Sequence, residues 1–218
     1  VCDSRSVLKE AIFRCKQLGL SSTIGAACEF YLFKTDENGR PTKSTLDNGG
    51  YFDLSPLDRG ENVRREICLC LEEMGLAPET SHHERGPGQN EIDFKYNDAL
   101  SSADNYLTFK SVVKAIASIN GLFASFMPKP VPGRSGNGLH INMSIYRGEK
   151  NLFDSFGKTP DGEAGSFIAG IMAHIAEITA FLNPVVNSYE RLGSCEAPKY
   201  ISWSPHNRYQ LIRIPGVT

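Results

Sequence analysis

The sequence predicts an α+β fold in which a large curved antiparallel sheet is backed by helices. Helix-like and strand-like periodicities are interleaved along the chain, and glycine- and proline-bearing turns join neighbouring strand segments as hairpins, which argues against a purely parallel sheet. No internal repeat, low-complexity tract or linker interrupts this pattern. With 218 residues, 40% of them hydrophobic, the chain can bury one good core, and its length favours a single domain over residues 1–218.

Ser4 to Leu18 sets Val7, Leu8, Ile12 and Phe13 near helical spacing, with Asp3 or Ser4 as N-cap and Gly19 as stop signal. Thr23 to Lys34 is rich in Phe, Tyr and Ile and runs into Asp36-Glu37-Asn38-Gly39, a strand leading to an exposed turn. Arg59 to Met74 reads as a second helix, closed by Gly75. Between Glu79 and Tyr96, two short segments flank Arg85-Gly86-Pro87-Gly88-Gln89, whose turn chemistry predicts a hairpin. A third helix over Ser101–Asn120 precedes a strand at Leu122–Met127, a Pro/Gly loop at Pro128–Gly138 and a strand at Leu139–Arg147. Glu163 to Leu182 is a fourth helix, and Tyr200 to Ile214 reads as two strands joined near Ser204-Pro205-His206-Asn207.

The formal net charge of −2 is spread without a basic stripe, so nucleic acid is excluded as a partner and a small-molecule site is expected. The cysteines Cys2, Cys15, Cys28, Cys68, Cys70 and Cys195 form no CxxC pair and no zinc-finger spacing; they read as reduced, mostly core thiols suited to a cytoplasmic protein. No charged-then-apolar leader opens the chain and no run approaches the about 18 apolar residues of a membrane span, so no membrane partner is expected. The chain begins at Val1 and ends in Ile214-Pro215-Gly216-Val217-Thr218, which looks like a strand cut short, so a fragment is expected.

The richest chemistry lies in Ser81-His82-His83-Glu84-Arg85-Gly86-Pro87-Gly88-Gln89-Asn90-Glu91-Ile92. A hairpin symmetric about Pro87-Gly88 sets Glu84 opposite Glu91, where like charges repel unless a divalent cation sits between them; two glutamates solvated at a loop mouth fit the same spacing. Leu139 to Ile145 alternates, with His140, Asn142 and Ser144 on one face and Leu139, Ile141, Met143 and Ile145 on the other. The apolar face reads as core, and the polar face as either a cleft or a satisfied surface. Glu29 sits among β-favouring apolar residues, where a carboxylate needs a partner or a metal. Arg191, Arg208 and Arg213, with Glu196 nearby, offer guanidinium forks for phosphate or carboxylate. There is no G-x-x-x-x-G-K-[ST] loop and no G-x-G-x-x-G fingerprint, so nucleotide phosphates would rest on metals and arginines.

Seven segments taken in order resemble the glutamine synthetase family. They are Glu29-Phe30-Tyr31-Leu32-Phe33, Gly50-Tyr51-Phe52-Asp53, His82-His83-Glu84 through Gln89-Asn90-Glu91, Lys129-Pro130 through His140, Asn187-Ser188-Tyr189, Glu196-Ala197-Pro198, and Asn207-Arg208 with Ile212-Arg213-Ile214-Pro215. The resemblance implies a glutamine synthetase/guanido kinase-type catalytic domain in which ATP phosphorylates the γ-carboxylate of glutamate and ammonia displaces the phosphate, with two or more Mg²⁺ or Mn²⁺ ions per site. By position, Glu29, Glu84 and Glu91 match ligands of the metal nearer glutamate, and His140 a ligand of the metal nearer the ATP phosphates. Tyr96, Asn142, Ser144 and Arg208 match nucleotide-side positions; Gly136, Arg191 and Arg213 match substrate-binding ones; Glu196, Arg208 and Arg191 match catalytic ones. The resemblance also implies a large ring-shaped homo-oligomer with sites at subunit interfaces, and a chain lacking the family's N-terminal β-grasp domain and C-terminal segment. The sequence departs from the family pattern at Ala27, where a further metal-binding glutamate is expected, and at Ser135, Asn137 and Asn142. A ligase using another amine, or a non-catalytic homologue, are the alternative readings.

Overall fold

The computed structural model describes residues 3–154, 162–205, 207 and 209–214. The chain divides into two compact units, one formed by Ile24–Asn142 and the other by Val1–Thr23 with Met143–Thr218.

Helix α1 (Ser4–Gln17) starts where Asp3 accepts a 2.8 Å hydrogen bond from the Ser6 N–H, and it ends before Gly19 at φ +71°, a left-handed turn that suits glycine. Strand β1 (Ser21–Thr35) is the spine of the larger unit. It turns through Asp36, whose carboxylate accepts from the Asn38 and Arg40 N–H groups, into β2 (Pro41–Thr45), a strand that the polar sequence Pro-Thr-Lys-Ser-Thr does not announce. Then follow α2 (Glu61–Glu73), β3 (Pro78–His83), β4 (Gln89–Phe94), the short β5 (Asn97–Asp98), α3 (Ala99–Ile119), β6 (Leu122–Ser125) and the start of β7 (Leu139–Arg147). Within this unit β3, β4 and β1 lie side by side and antiparallel, and β6 also pairs antiparallel with β1.

The core follows from the two-residue period of β1. Cys28, Phe30 and Leu32 point to one side, against Val63, Ile67 and Leu71 of α2 and Phe109, Val113 and Ala117 of α3. Phe30 meets Phe109 edge-on at 6.2 Å. Ala27, Glu29 and Tyr31 therefore face away from the helices, which is what positions the candidate site.

In the other unit, β7 continues and pairs with β8 (Lys150–Asn151), followed by α4 (Gly162–Leu182), α5 (Val186–Arg191), β9 (Trp203–Ser204) and β10 (Ile212–Arg213). Arg147 ties β7 to two helices of this unit, donating to the Leu18 carbonyl just past α1 and pairing with Glu163 of α4.

Three expectations are corrected. The two tail strands, Trp203–Ser204 and Ile212–Arg213, are only two residues each, far shorter than the span Tyr200–Ile214 suggested, and they pair in parallel. On β7 only Ile145 of the apolar set is buried, while Leu139, Ile141 and Met143 are exposed at 43%, 50% and 38%: alternation shows that two faces differ, not which one is covered. And α4 is long and apolar enough to cross a membrane by length and composition alone, at a mean hydropathy of 1.5, since its apolar Ala, Ile and Phe run is broken by few charges. Of the described cysteines, all free, Cys28 is buried, Cys15, Cys68 and Cys70 are half-buried, and Cys195 is exposed, so the core reading holds fully for Cys28 alone.

Candidate metal centre

The strand register lays out the site in rows. Thr80 of β3, Asp93 of β4 and Ala27 of β1 form one row, and His82, Glu91 and Glu29 form the next. Just past β3, the Glu84 N–H donates to the Gln89 carbonyl at 2.8 Å, so Glu84 lies diagonally from Glu91 instead of directly opposite. The hairpin is thus displaced from the symmetric register expected of it: the Gln89 N–H closes a tight turn onto the Gly86 carbonyl, and His82 takes the place opposite Glu91. His82 is the residue that sequence reasoning quoted without a role, although its two-residue separation from Glu84 on a strand already put both on one face.

Glu29, Glu91 and His140 present ligand atoms all within 4.8 Å of one another, and so do His82, Glu84 and Glu91. Glu91 belongs to both groups. Burial, the charges of Glu29 and Asp93, and then Glu84 raise the Glu91 carboxyl well above the usual carboxylate range. A divalent cation removes that penalty, and carboxylate oxygens with an imidazole are the donors that Mg²⁺ and Mn²⁺ accept. The residues present therefore fit a paired-cation centre.

Glu29 and His82 are held from behind. The Glu29 carboxylate accepts from the Gln89 side-chain amide and the Gly138 N–H, both at 2.9 Å. His82 stacks on Phe52 at 4.3 Å, and Phe52 holds a left-handed φ of +59° while its N–H donates to the His83 carbonyl. The Pro128–Gly138 loop is pinned by the Tyr31 hydroxyl, which donates to the Ser135 carbonyl at 2.6 Å. A Cβ on Gly86 would lie 1.8 Å from that hydroxyl, so only glycine fits there.

A third acidic group, Asp47, Asp58 and His83, is structural. The His83 ring nitrogens lie 2.9 Å from Asp47 and 2.6 Å from the Glu84 carbonyl, and Asp58 pairs with Arg64 at 2.6 Å. Burial opposes charge on Asp47, but hydrogen bonds from His83 and from the Arg59 and Gly49 N–H groups outweigh it and hold its carboxyl at about 2. Burial likewise disfavours the His83 imidazolium, yet Asp47 and the Glu84 carbonyl raise its pKa above the usual value.

Comparison with known proteins decides the family. The family model described as glutamine synthetase, catalytic domain, matches residues 1–218. The chain belongs to the glutamine synthetase family. It is 55% identical over 217 residues to a glutamine synthetase of Clostridium saccharobutylicum and 52% identical over 218 residues to one of Methanosarcina mazei, covering 98% of this chain in each case and 49% and 48% of those proteins. The chain thus spans about half the length of the curated relatives it matches. The structure of Plasmodium falciparum glutamine synthetase aligns with a TM-score of 0.83 at 30% identity, over 96% of this chain and 47% of that one. A chain from the GmaS/ADP complex aligns at 0.82 with 33% identity, over 97% and 51%.

Against the glutamine synthetase pattern, the departures acquire structural context. Ala27 is buried opposite Asp93. Asn137 is buried and donates to the Ser125 and Met127 carbonyls at 3.0 and 2.9 Å, a strut between the loop and the end of β6 that a shorter side chain would not span. The Gly136 carbonyl accepts from Gln89, and the Ser135 carbonyl from Tyr31. Tyr96 and Asn142 are exposed in the same unit. Ser144, Arg191, Glu196 and Arg213 belong to the other unit. There Arg191 ends α5, Ser194 and Ala197 N–H groups turn the chain back on the Arg191 and Ser194 carbonyls, Glu196 is half-buried in that turn, and Arg213 is exposed on β10. Arg208 lies outside the described residues.

Proposed function

We propose that this chain supplies the metal and nucleotide side of an ATP-dependent ligase that joins ammonia to the γ-carboxylate of L-glutamate. The observation that carries the reading is the sharing of Glu91 between two ligand groups, a dense acidic centre of the kind phosphoryl transfer requires. Glu29, Glu84, Glu91 and His140 hold Mg²⁺ or Mn²⁺, with His82 as an additional donor from the same strand face. The bound cations supply positive charge against the phosphate oxygens. Tyr96, Asn142, Ser144 and Arg208 bind the nucleotide; Gly136, Arg191 and Arg213 bind glutamate, the arginines through guanidinium forks matched to carboxylate and phosphate. The γ-phosphoryl group passes from ATP to a γ-carboxylate oxygen, leaving ADP. Glu196 takes a proton from ammonium, and the freed ammonia attacks the acyl carbon and expels phosphate, giving glutamine. The assembled protein is a ring-shaped homo-oligomer with sites between subunits, as the family resemblance implies.

The test is phosphate release from ATP by the full-length protein with Mg²⁺ or Mn²⁺. Release that needs both glutamate and ammonia is expected. Release only with a different amine would replace ammonia in the reading, and none from a folded oligomer would overturn it.

A further inference from the structure

Three parts of the candidate site meet at one side chain. Gln89 of β4 is fully buried, and its amide lies between the hairpin turn, the Glu29 carboxylate and the Pro128–Gly138 loop. Its oxygen accepts from the Gly86 N–H at 2.9 Å; a backbone N–H can only donate, so the amide cannot be reversed and its nitrogen faces the other way. There it meets Glu29 Oε2 at 2.9 Å, the Gly136 carbonyl at 3.2 Å and Asn137 Oδ1 at 3.2 Å. The Asn137 amide is oriented by the same logic, because its nitrogen serves the Ser125 and Met127 carbonyls. Two N–H hydrogens of Gln89 are thus shared among three acceptors, and the shortest contact goes to the carboxylate. The Gly138 N–H donates to the same Glu29 oxygen, so two donors converge there and fix the rotation of the carboxylate. Asn137 is among the positions where the chain departs from the family pattern, so the loop end of this network is a feature of this chain.

We propose that Gln89 is a positioning residue of the cation centre, which orients Glu29 toward the cation and couples that carboxylate to the loop at Gly136 and Asn137. The coupling follows from the shared hydrogens. A bound cation draws electron density from the Glu29 carboxylate and weakens it as an acceptor. The Gln89 N–H groups then shift toward the Gly136 carbonyl and Asn137 Oδ1, and the loop is held more tightly. By reciprocity, whatever holds the loop in place strengthens cation binding by the same factor.

The inference rests on the metal-dependent reading above, and the two fail differently. Full-length protein is titrated with Mn²⁺ in the absence of ATP and glutamate. The bound ion is followed by electron paramagnetic resonance and the backbone of residues 128–138 by hydrogen exchange, with melting temperature as a check on folding. In the wild type, saturating Mn²⁺ is expected to slow exchange in the loop roughly fivefold or more. Gln89→Met fills the same space without a donor. It is expected to bind Mn²⁺ roughly tenfold more weakly, with a changed spectrum, and to lose the response of the loop once saturated. Should that variant not fold, Gln89→Asn keeps an amide one methylene short of Glu29, and the same losses are expected of it. Wild-type Mn²⁺ affinity, or a loop response of wild-type size, in a folded Gln89 variant overturns the role of Gln89 while leaving the centre intact. A wild-type loop that ignores saturating Mn²⁺ overturns the coupling. Absence of Mn²⁺ binding by the wild-type protein overturns both the inference and the reading beneath it.

Discussion

At the scale of single residues, Glu91 and Asp47 show opposite uses of a buried carboxylate. Glu91 is crowded by Glu29, Asp93 and Glu84, so in metal-free protein its charge opposes folding. Glu91→Gln removes that charge at nearly constant volume. The expected outcome is a higher melting temperature in EDTA, by roughly 2–4 °C per kcal/mol regained for a domain of this size, together with loss of the Mn²⁺-induced stabilisation expected of the wild type. A variant that melts lower in EDTA, or that Mn²⁺ still stabilises fully, would contradict the assignment. Asp47 is instead surrounded by donors that favour its charge. Its folded pKa of about 2 lies below the ordinary value of 3.8, so its contribution is fully present above the ordinary value and is lost as pH falls through that window. Acid unfolding of the wild type should therefore steepen between those limits, and Asp47→Asn should flatten that part of the curve while lowering stability at neutral pH by about 3 kcal/mol, because His83 keeps its burial and loses its partner.

At the scale of elements, the site depends on how the β3–β4 hairpin is anchored to α2. Arg64 of α2 is buried, pairs with Asp58 at 2.6 Å, and donates to the Asn90 side chain at 2.6 Å and the Ser81 hydroxyl at 3.1 Å, so one guanidinium ties the helix to both strands of the hairpin. Arg64→Met leaves Asp58 buried and unpaired, and urea unfolding should show a loss of about 3–5 kcal/mol; Arg64→Met with Asp58→Leu removes both charges and should recover most of it. Equal losses in single and double variants would show that packing, not the ion pair, anchors the hairpin. Regular elements of this kind were legible in the sequence wherever capping and periodicity agreed, as for α1 behind Asp3, α2 before Gly75 and the full span of β7. The hairpin register was not, because the closing contact is made by Gly86 and Gln89 backbone groups rather than by the Pro87-Gly88 pair that stands out in the sequence. Nor were β2, too polar to alternate, or the six-residue α5, too short to show a helical period. In the candidate site, Glu29, Glu84, Glu91 and His140 were singled out by pattern and resemblance, and the structure brings their ligand atoms into two groups that share Glu91; the place of His82 opposite Glu91 was not legible, because the displaced hairpin register sets it.

At the scale of the whole molecule, many large apolar side chains among the described residues are exposed to water. On α4 and the turn into α5, Phe181 is 83% and Val186 is 86% exposed, and only 11% of the apolar window of α4 is buried. The apolar edge of β7 adds Leu139, Ile141 and Met143. Covering such surface gains about 25 cal/mol per Å² removed from water, which favours association against its entropic cost. The 218-residue chain, expressed as such, should therefore form concentration-dependent assemblies in sedimentation and bind a hydrophobic dye. Phe181→Lys with Val186→Lys should shift the distribution toward the monomer while leaving Mn²⁺ binding unchanged, because both positions lie in the unit formed with Met143–Thr218 and the cation ligands lie in Ile24–Asn142. A chain that sediments as a monomer at all concentrations without taking up dye would mean that these side chains find cover within the chain itself. Loss of Mn²⁺ binding in a dispersed, folded double variant would mean that association and the cation centre are coupled.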